Sequence, residues 1–215
     1  MVRKTKEEAE RTRQQIIEAA RRTFHQYGVS RTSLEKIAAA AGVTRGAVYW
    51  HFADKAALFS AVREASTSAV NQVDAILLSD SIADPLDAIE QSVLAFFDTL
   101  STCPEVRETF EIMALRCEYV DEFAQVLQEA HKPFQNFLAN LKLAYRRALD
   151  LGAMRAGLDP DAMALDSMSF VSGLFNLWLA CQSGDELREK ASAMIRAHIA
   201  LRRTETHQIE LADAD

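Results

Sequence analysis

Ser33 to Phe52 reads SLEKIAAAAGVTRGAVYWHF, and its residue types are hard to explain by packing alone. Ser33 suits an N-cap, Leu34, Ile37 and Ala38 share one helical face, and the alanine run lets another helix approach closely. Gly42 ends that helix, because glycine adopts the left-handed C′ conformation at little cost, and Val43 behind it can turn inward. Thr44 caps a second helix in which Ala47 and Val48 face the first, leaving Arg45, Gly46, Tyr49, Trp50 and His51 outside. The pattern is a helix-turn-helix. Tyr, Trp and His beside Arg are wasteful on a solvated helix of barely two turns, whereas a major groove with flanking phosphates uses all of them. The competing reading is a short core helix held by aromatic anchors.

The whole chain of 215 residues is acidic, with a formal charge of −7, which by itself argues against an anionic partner. The average hides a split. Met1 to Arg63 holds 12 Lys or Arg against 6 Asp or Glu, so the remainder carries 12 basic against 25 acidic residues. Two halves of opposite charge imply two jobs. Cys103, Cys117 and Cys181 are odd in number and widely separated, which excludes a disulfide framework and predicts a reducing, cytoplasmic setting. The basic start has no apolar run behind it, so no secretory signal is expected. Ser167 to Gly184 carries no charge until its end, but Ser169, Ser172, Gly173 and Asn176 interrupt it. It is read as a buried helix, with no membrane partner.

Few glycines, few prolines and few β-branched runs predict an all-α chain. Met1 to Lys6 reads as a basic arm. A first helix carries Ile16, Ala20 and Phe24 and stops at Gly28; with the two helices of the motif it makes a three-helix unit. Asp54 caps a fourth helix expected to run unbroken towards Leu78, long enough to connect both halves of the chain. Asp84-Pro85 opens a fifth and Cys103-Pro104 a sixth. The seventh spans Asp121 to Leu151, where Pro133 is expected to kink or break it. The eighth, from Asp159-Pro160 to Cys181, is apolar nearly all round and is expected to be buried on both sides. A ninth ends near Arg203.

Chemistry of the enzymatic kind has no local signature. No two glycines are two apart, no P-loop occurs, and His25, His51, His131, His198 and His207 never pair at metal-ligand spacing. Neither a catalytic residue, a cofactor nor a metal site is expected.

The stretches RKTKEEAERTRQQIIEAA, GVSRTSLEKIAAAAGVTRGAVYWHF and DKAALF resemble the TetR family of transcriptional regulators. FEIMALRCEYV and FVSGLFNLWL resemble its AcrR-like branch, the repressors of multidrug efflux operons, more loosely. The resemblance implies a nine-helix homodimer with a helix-turn-helix head at 1–53 and a ligand-binding and dimerisation domain at 54–204; the acidic composition of 205–215 predicts a disordered tail. It implies a palindromic double-stranded operator as one partner and a small apolar or amphipathic inducer as the other. Groove contacts fall on Arg45, Gly46 and Tyr49, with Thr44 beside them, and phosphate contacts on Thr32, Ser33, Trp50, His51 and Lys55.

For the inducer the branch implies an apolar cavity, and the helical stripes supply candidates. These are Val93, Phe96, Phe110, Met113, Cys117, Phe134, Phe137, Leu141, Met168, Val171, Ser172 and Phe175. Singly each reads first as ordinary core; together they suggest a pocket. The rival functions are a ligand-independent DNA-binding protein and, distantly, a helical enzyme. The eighth and ninth helices are expected to form the dimer interface.

Overall fold

Apolar periodicity near 3.6 residues, interrupted by Gly, Pro and capping residues, produces helices throughout the computed structural model, which describes residues 6–64, 67–181 and 185–204. They are α1 (Lys6–Tyr27), α2 (Leu34–Ala41), α3 (Arg45–His51), α4 (Lys55–Glu64), α5 (Thr67–Leu77), α6 (Pro85–Thr102), α7 (Pro104–Leu115), α8 (Ala124–Asp150), α9 (Pro160–Ala180) and α10 (Glu186–Ala200). A 3-10 turn, Asp121–Phe123, precedes α8, and among the described residues there is no strand beyond an isolated bridge between Met154 and Arg203. The all-α expectation holds. Capping follows the sequence: the Ser33 side chain accepts from the Lys36 N–H, Asp54 from Ala57, and Asp159 from Asp161.

Two expectations need correction. A third, that the fourth helix runs unbroken, falls on Ala65 and Ser66, which lie outside the described residues between α4 and α5. Pro133 does not break its helix: α8 runs through it, giving up the one backbone bond to residue 129 while 27 residues of helix persist around it. The eighth helix of the sequence, α9, buries only one side within the chain. Ala164, Ser167, Leu174, Phe175, Trp178 and Leu179 face inward, whereas Leu165 and Leu177 are more than half exposed. Periodicity reports how apolar a helix is, not whether its own chain covers it. The basic arm, up to Lys6, and the tail at 205–215 lie outside the described residues, except that Lys6 begins α1.

The residues pack as two compact units: one holds those up to 67 with 103–130, the other 68–102 with those from 131 onward. The first unit is larger than the head expected at 1–53. Its core joins Ile16, Phe24, Ile37, Val48, Leu58 and Phe59 to Ile112 of α7, Phe123 and Val126, all nearly inaccessible. Each such side chain contributes about 1.5–3 kcal/mol when buried. Polar contacts fix the same seam. Arg21 of α1 pairs with Glu108, His25 Nε2 lies 2.6 Å from a Glu111 carboxylate oxygen, and the Val29 N–H donates to the Arg116 carbonyl at 3.0 Å.

The second unit has its own core of Leu86, Ile89, Leu141, Tyr145, Ala148, Ala164 and Ile199. Asp84 caps α6 by accepting from the Leu86 N–H at 2.8 Å, and it also pairs with Arg203, which reaches Asp87 as well. Arg203 is 2% exposed. One half-buried carboxylate therefore starts α6 and holds the segment that follows α10. Removing the guanidinium strands that charge, so Arg203→Ala is expected to destabilise the second unit by about 3–5 kcal/mol. Arg196→Ala, at a pair with Glu90 in which the arginine is exposed, should cost under about 1 kcal/mol. Equal unfolding midpoints for the two variants in urea would contradict the assignment.

Candidate nucleic-acid interface and ligand cavity

Helix α3 has seven residues and exists because both of its ends and one face are held. The Thr44 side chain accepts from the Ala47 N–H at 3.2 Å, and Val48 is fully buried. Gly42 stands at φ +67 and caps α2 through its N–H, and Val43 packs on the core behind it. What remains faces solvent: Arg45, Gly46, Tyr49 and Trp50 are exposed, Trp50 by 72%. His51 is half-buried, with its ring edge-on to Trp50 at 4.5 Å.

Arg45 is positioned by neighbours on two helices. Its Nε lies 3.0 Å from Glu35 Oε1 on α2, its Nη2 donates to the Tyr49 hydroxyl at 3.3 Å, and its guanidinium lies 5.2 Å from the centre of the Tyr49 ring. The Tyr49 hydrogen bond and the Glu35 carboxylate hold the Arg45 pKa above its ordinary value. Glu35 is in turn held below the usual carboxylate range by its own backbone N–H and the Ser33 hydroxyl, then by Arg45. Arginine and tyrosine thus leave the surface as one preset pair, which lowers the ordering cost of binding.

Gly46 has no internal reason to be glycine. A Cβ placed there meets nothing closer than the Thr44 hydroxyl at 3.9 Å, and its φ is not positive. Helix-interior glycine costs stability relative to alanine, so the fold itself gives no reason for the missing methyl.

The expected phosphate contacts divide. Ser33 and Thr44 are exposed, with hydroxyls that accept from their own helices. Lys55 opens α4 half-buried, its ammonium 5.4 Å from the Phe123 ring centre. Thr32 needs correction: it is 2% exposed and its hydroxyl donates inward to the Gly28 carbonyl at 2.7 Å, so it shapes the loop before α2. A hydroxyl two residues before a helix reads the same in sequence whether it points in or out.

The expected ligand residues also divide. Phe110, Met113 and Cys117 belong to the first packing unit, where Met113 and Cys117 pack against its core; burial pushes the Cys117 thiol up to about 11. The other nine lie in the second unit. Val93, Leu141 and Val171 line a cavity there with Ile89, Ser167, Phe170, Ile195, His198 and Ile199, with room for about one water-sized group. Phe96 and Phe175 pair with ring centres 5.7 Å apart, Phe137 and Met168 pack on the core, and Ser172 is half-buried. Phe134 is exposed on α8.

Sequence reasoning missed the polar floor of this cavity. Ser167 Oγ lies 3.1 Å from His198 Nε2 and 2.7 Å from the buried Tyr145 hydroxyl. Residues 31 and 22 positions apart leave no local signal. Serine beside histidine resembles a nucleophile and its base, but the other ring nitrogen faces the Arg202 guanidinium at 3.5 Å instead of a carboxylate. Burial and then Arg202 push His198 down to about 4, leaving a poor base.

Residues 16–62 match the tetR family of bacterial regulatory proteins, and residues 84–203 match the C-terminal region of MAATS-type transcriptional repressors. The chain is 37% identical over 179 residues to the transcriptional regulator TtgR of Pseudomonas putida, covering 83% of this chain and 85% of that one. Among solved structures it is similar to NalD, the secondary repressor of the MexAB-OprM multidrug efflux pump in Pseudomonas aeruginosa. That likeness has a TM-score of 0.81 at 31% identity, over 93% of this chain and 100% of the other. It is also similar to the complex of SmeT, a Stenotrophomonas maltophilia efflux-pump repressor, with triclosan, at a TM-score of 0.76 and 30% identity over 90% and 92% of the two chains.

Gly46→Ala separates fold from surface. It is expected to stabilise the protein by roughly 0.5–1 kcal/mol in thermal unfolding. On a duplex selected by the wild-type protein from random sequence, it should weaken binding about tenfold, the scale of a 1.4 kcal/mol loss. Undiminished affinity would remove α3 from the contact surface.

Proposed function

This chain belongs to the tetR family of bacterial regulatory proteins, in its AcrR-like branch, and we propose that it is a repressor of a multidrug efflux operon released by a small apolar inducer. It is a transcriptional regulator, not an enzyme. The observation that carries the reading is the outward face of α3, where a preset Arg45–Tyr49 pair, a glycine with no internal need and an exposed Trp50 stand together. Arg45 and Tyr49 reach base edges while Gly46 admits the duplex; Ser33, Thr44, Trp50, His51 and Lys55 meet the flanking phosphates. The head at 1–53 carries this surface, and 54–204 carries ligand and dimer functions in a cytoplasmic protein.

Two copies are needed. Leu165 and Leu177 of α9, Met194 of α10 and Leu201 just after it are exposed, and a second copy of the same pair of helices covers them. Two heads on a two-fold axis then engage half-sites about 34–36 Å apart on a palindrome. Leu177→Arg, which places a charge in that interface, is expected to sediment as a monomer and to lose most operator affinity. A stable dimer of this variant would move the interface elsewhere.

The inducer site is the second unit's apolar interior, around Val93, Leu141 and Val171 and the Phe96–Phe175 pair. The SmeT complex makes triclosan the first compound to try. Coupling of about 1–3 kcal/mol would weaken operator binding 5- to 150-fold, and linkage requires the operator to weaken triclosan binding by the same factor. Titrations of triclosan into free protein and into the operator complex are expected to differ by that factor. Equal affinities would leave a DNA-binding protein whose occupied cavity regulates nothing.

A further inference from the structure

We propose that Glu35 of α2 sets the sequence specificity of the α3 surface, holding Arg45 in a pose that reads a guanine and withdrawing it from the phosphates. This inference rests on the DNA-binding reading and adds to it a positioning residue outside α3.

The ion pair links two helices. Glu35 stands in the first turn of α2, Arg45 opens α3, and Glu35 Oε1 lies 3.0 Å from Arg45 Nε. Both side chains are more than half exposed, and an exposed pair contributes little to folding. A carboxylate beside a surface that meets phosphates also opposes binding by repulsion. Neither stability nor affinity therefore accounts for the pair. What it does change is the arginine.

An arginine on a DNA-facing surface has two kinds of acceptor within reach, phosphate oxygens and base edges. A lone guanidinium gains most at phosphate, where charge decides and sequence does not. With the Glu35 carboxylate at Nε the pair is close to neutral, and that gain shrinks. Directed hydrogens remain. Nη2 donates to the Tyr49 hydroxyl at 3.3 Å, and Nη1 has no partner among the described residues. Because a guanidinium only donates, the Tyr49 oxygen accepts and its own hydrogen is left to give. The outward set is thus made of donors, and guanine is the base whose major-groove edge presents two adjacent acceptors, N7 and O6.

The test uses the full-length protein and the duplex it selects from random sequence, with each base pair of that duplex substituted in turn. Binding is read by fluorescence anisotropy at one salt concentration. The position at which Arg45→Ala abolishes discrimination identifies the base pair that Arg45 reads, and it is expected to be G·C. There Glu35→Ala should reduce the preference for G·C about two- to tenfold, the scale of ordering one long side chain, and leave the other positions within about twofold. Affinity for a random-sequence duplex should rise about twofold, because a repelling carboxylate is gone. Glu35→Asp keeps an acidic group in the first turn of α2 but draws it back by one methylene, so it is expected to unfold at the wild-type temperature and to discriminate like Glu35→Ala. In the Arg45→Ala background Glu35→Ala should alter discrimination nowhere. An unchanged preference in Glu35→Ala overturns the assignment, as does a loss spread evenly over all positions, an effect on discrimination that persists without Arg45, or a base pair other than G·C at the position Arg45 reads. The parent reading fails separately: a wild-type protein that selects no duplex sinks both, whereas selection indifferent to Glu35 sinks this inference alone.

Discussion

Seven residues of helix have no stability in isolation, so everything α3 presents to a partner depends on the burial of Val48. That one side chain joins α3 to Ile37 and Phe24 across the head core, and it fixes the rotation of the helix about its axis. Rotation decides which residues face out. With Val48 inward, Arg45, Gly46, Tyr49 and Trp50 are outward together, and Thr44 and Gly42 set the start of the helix against the end of α2.

The same core explains why the head extends beyond the helix-turn-helix. Phe59 of α4 packs edge-on against both Phe24 and Phe123, with ring centres 5.9 and 5.7 Å apart. Ile112 of α7 belongs to the same core, and Arg21 of α1 pairs with Glu108 of α7. Helices far apart in sequence are thus part of the support for α3.

In the second unit polar groups are spent differently. Arg203 is buried and engaged with two carboxylates, a structural clamp between α6 and the end of the described chain. The Tyr145–Ser167–His198 chain links two buried hydroxyls to a half-buried ring through hydrogen bonds of 2.7 and 3.1 Å. A low dielectric makes both arrangements stringent. One is built on charge, and the other on neutral groups that line a cavity.

The helix-turn-helix was legible from residues 33–52 because caps, glycine C-caps and a 3.6-residue stripe are local properties, and the outward Arg45, Tyr49 and Trp50 followed from the same periodicity. The basic first quarter and acidic remainder were legible from charge alone. Tertiary structure decided the rest. Thr32 turned inward, Phe110, Met113 and Cys117 joined the first packing unit, and α8 passed through Pro133. It also assembled Ser167, His198 and Tyr145, which share no spacing a reader could detect. Sequence patterns report which face of a helix is apolar and where the helix ends. They do not report what that face meets, because contacts between residues distant along the chain depend on how whole helices pack.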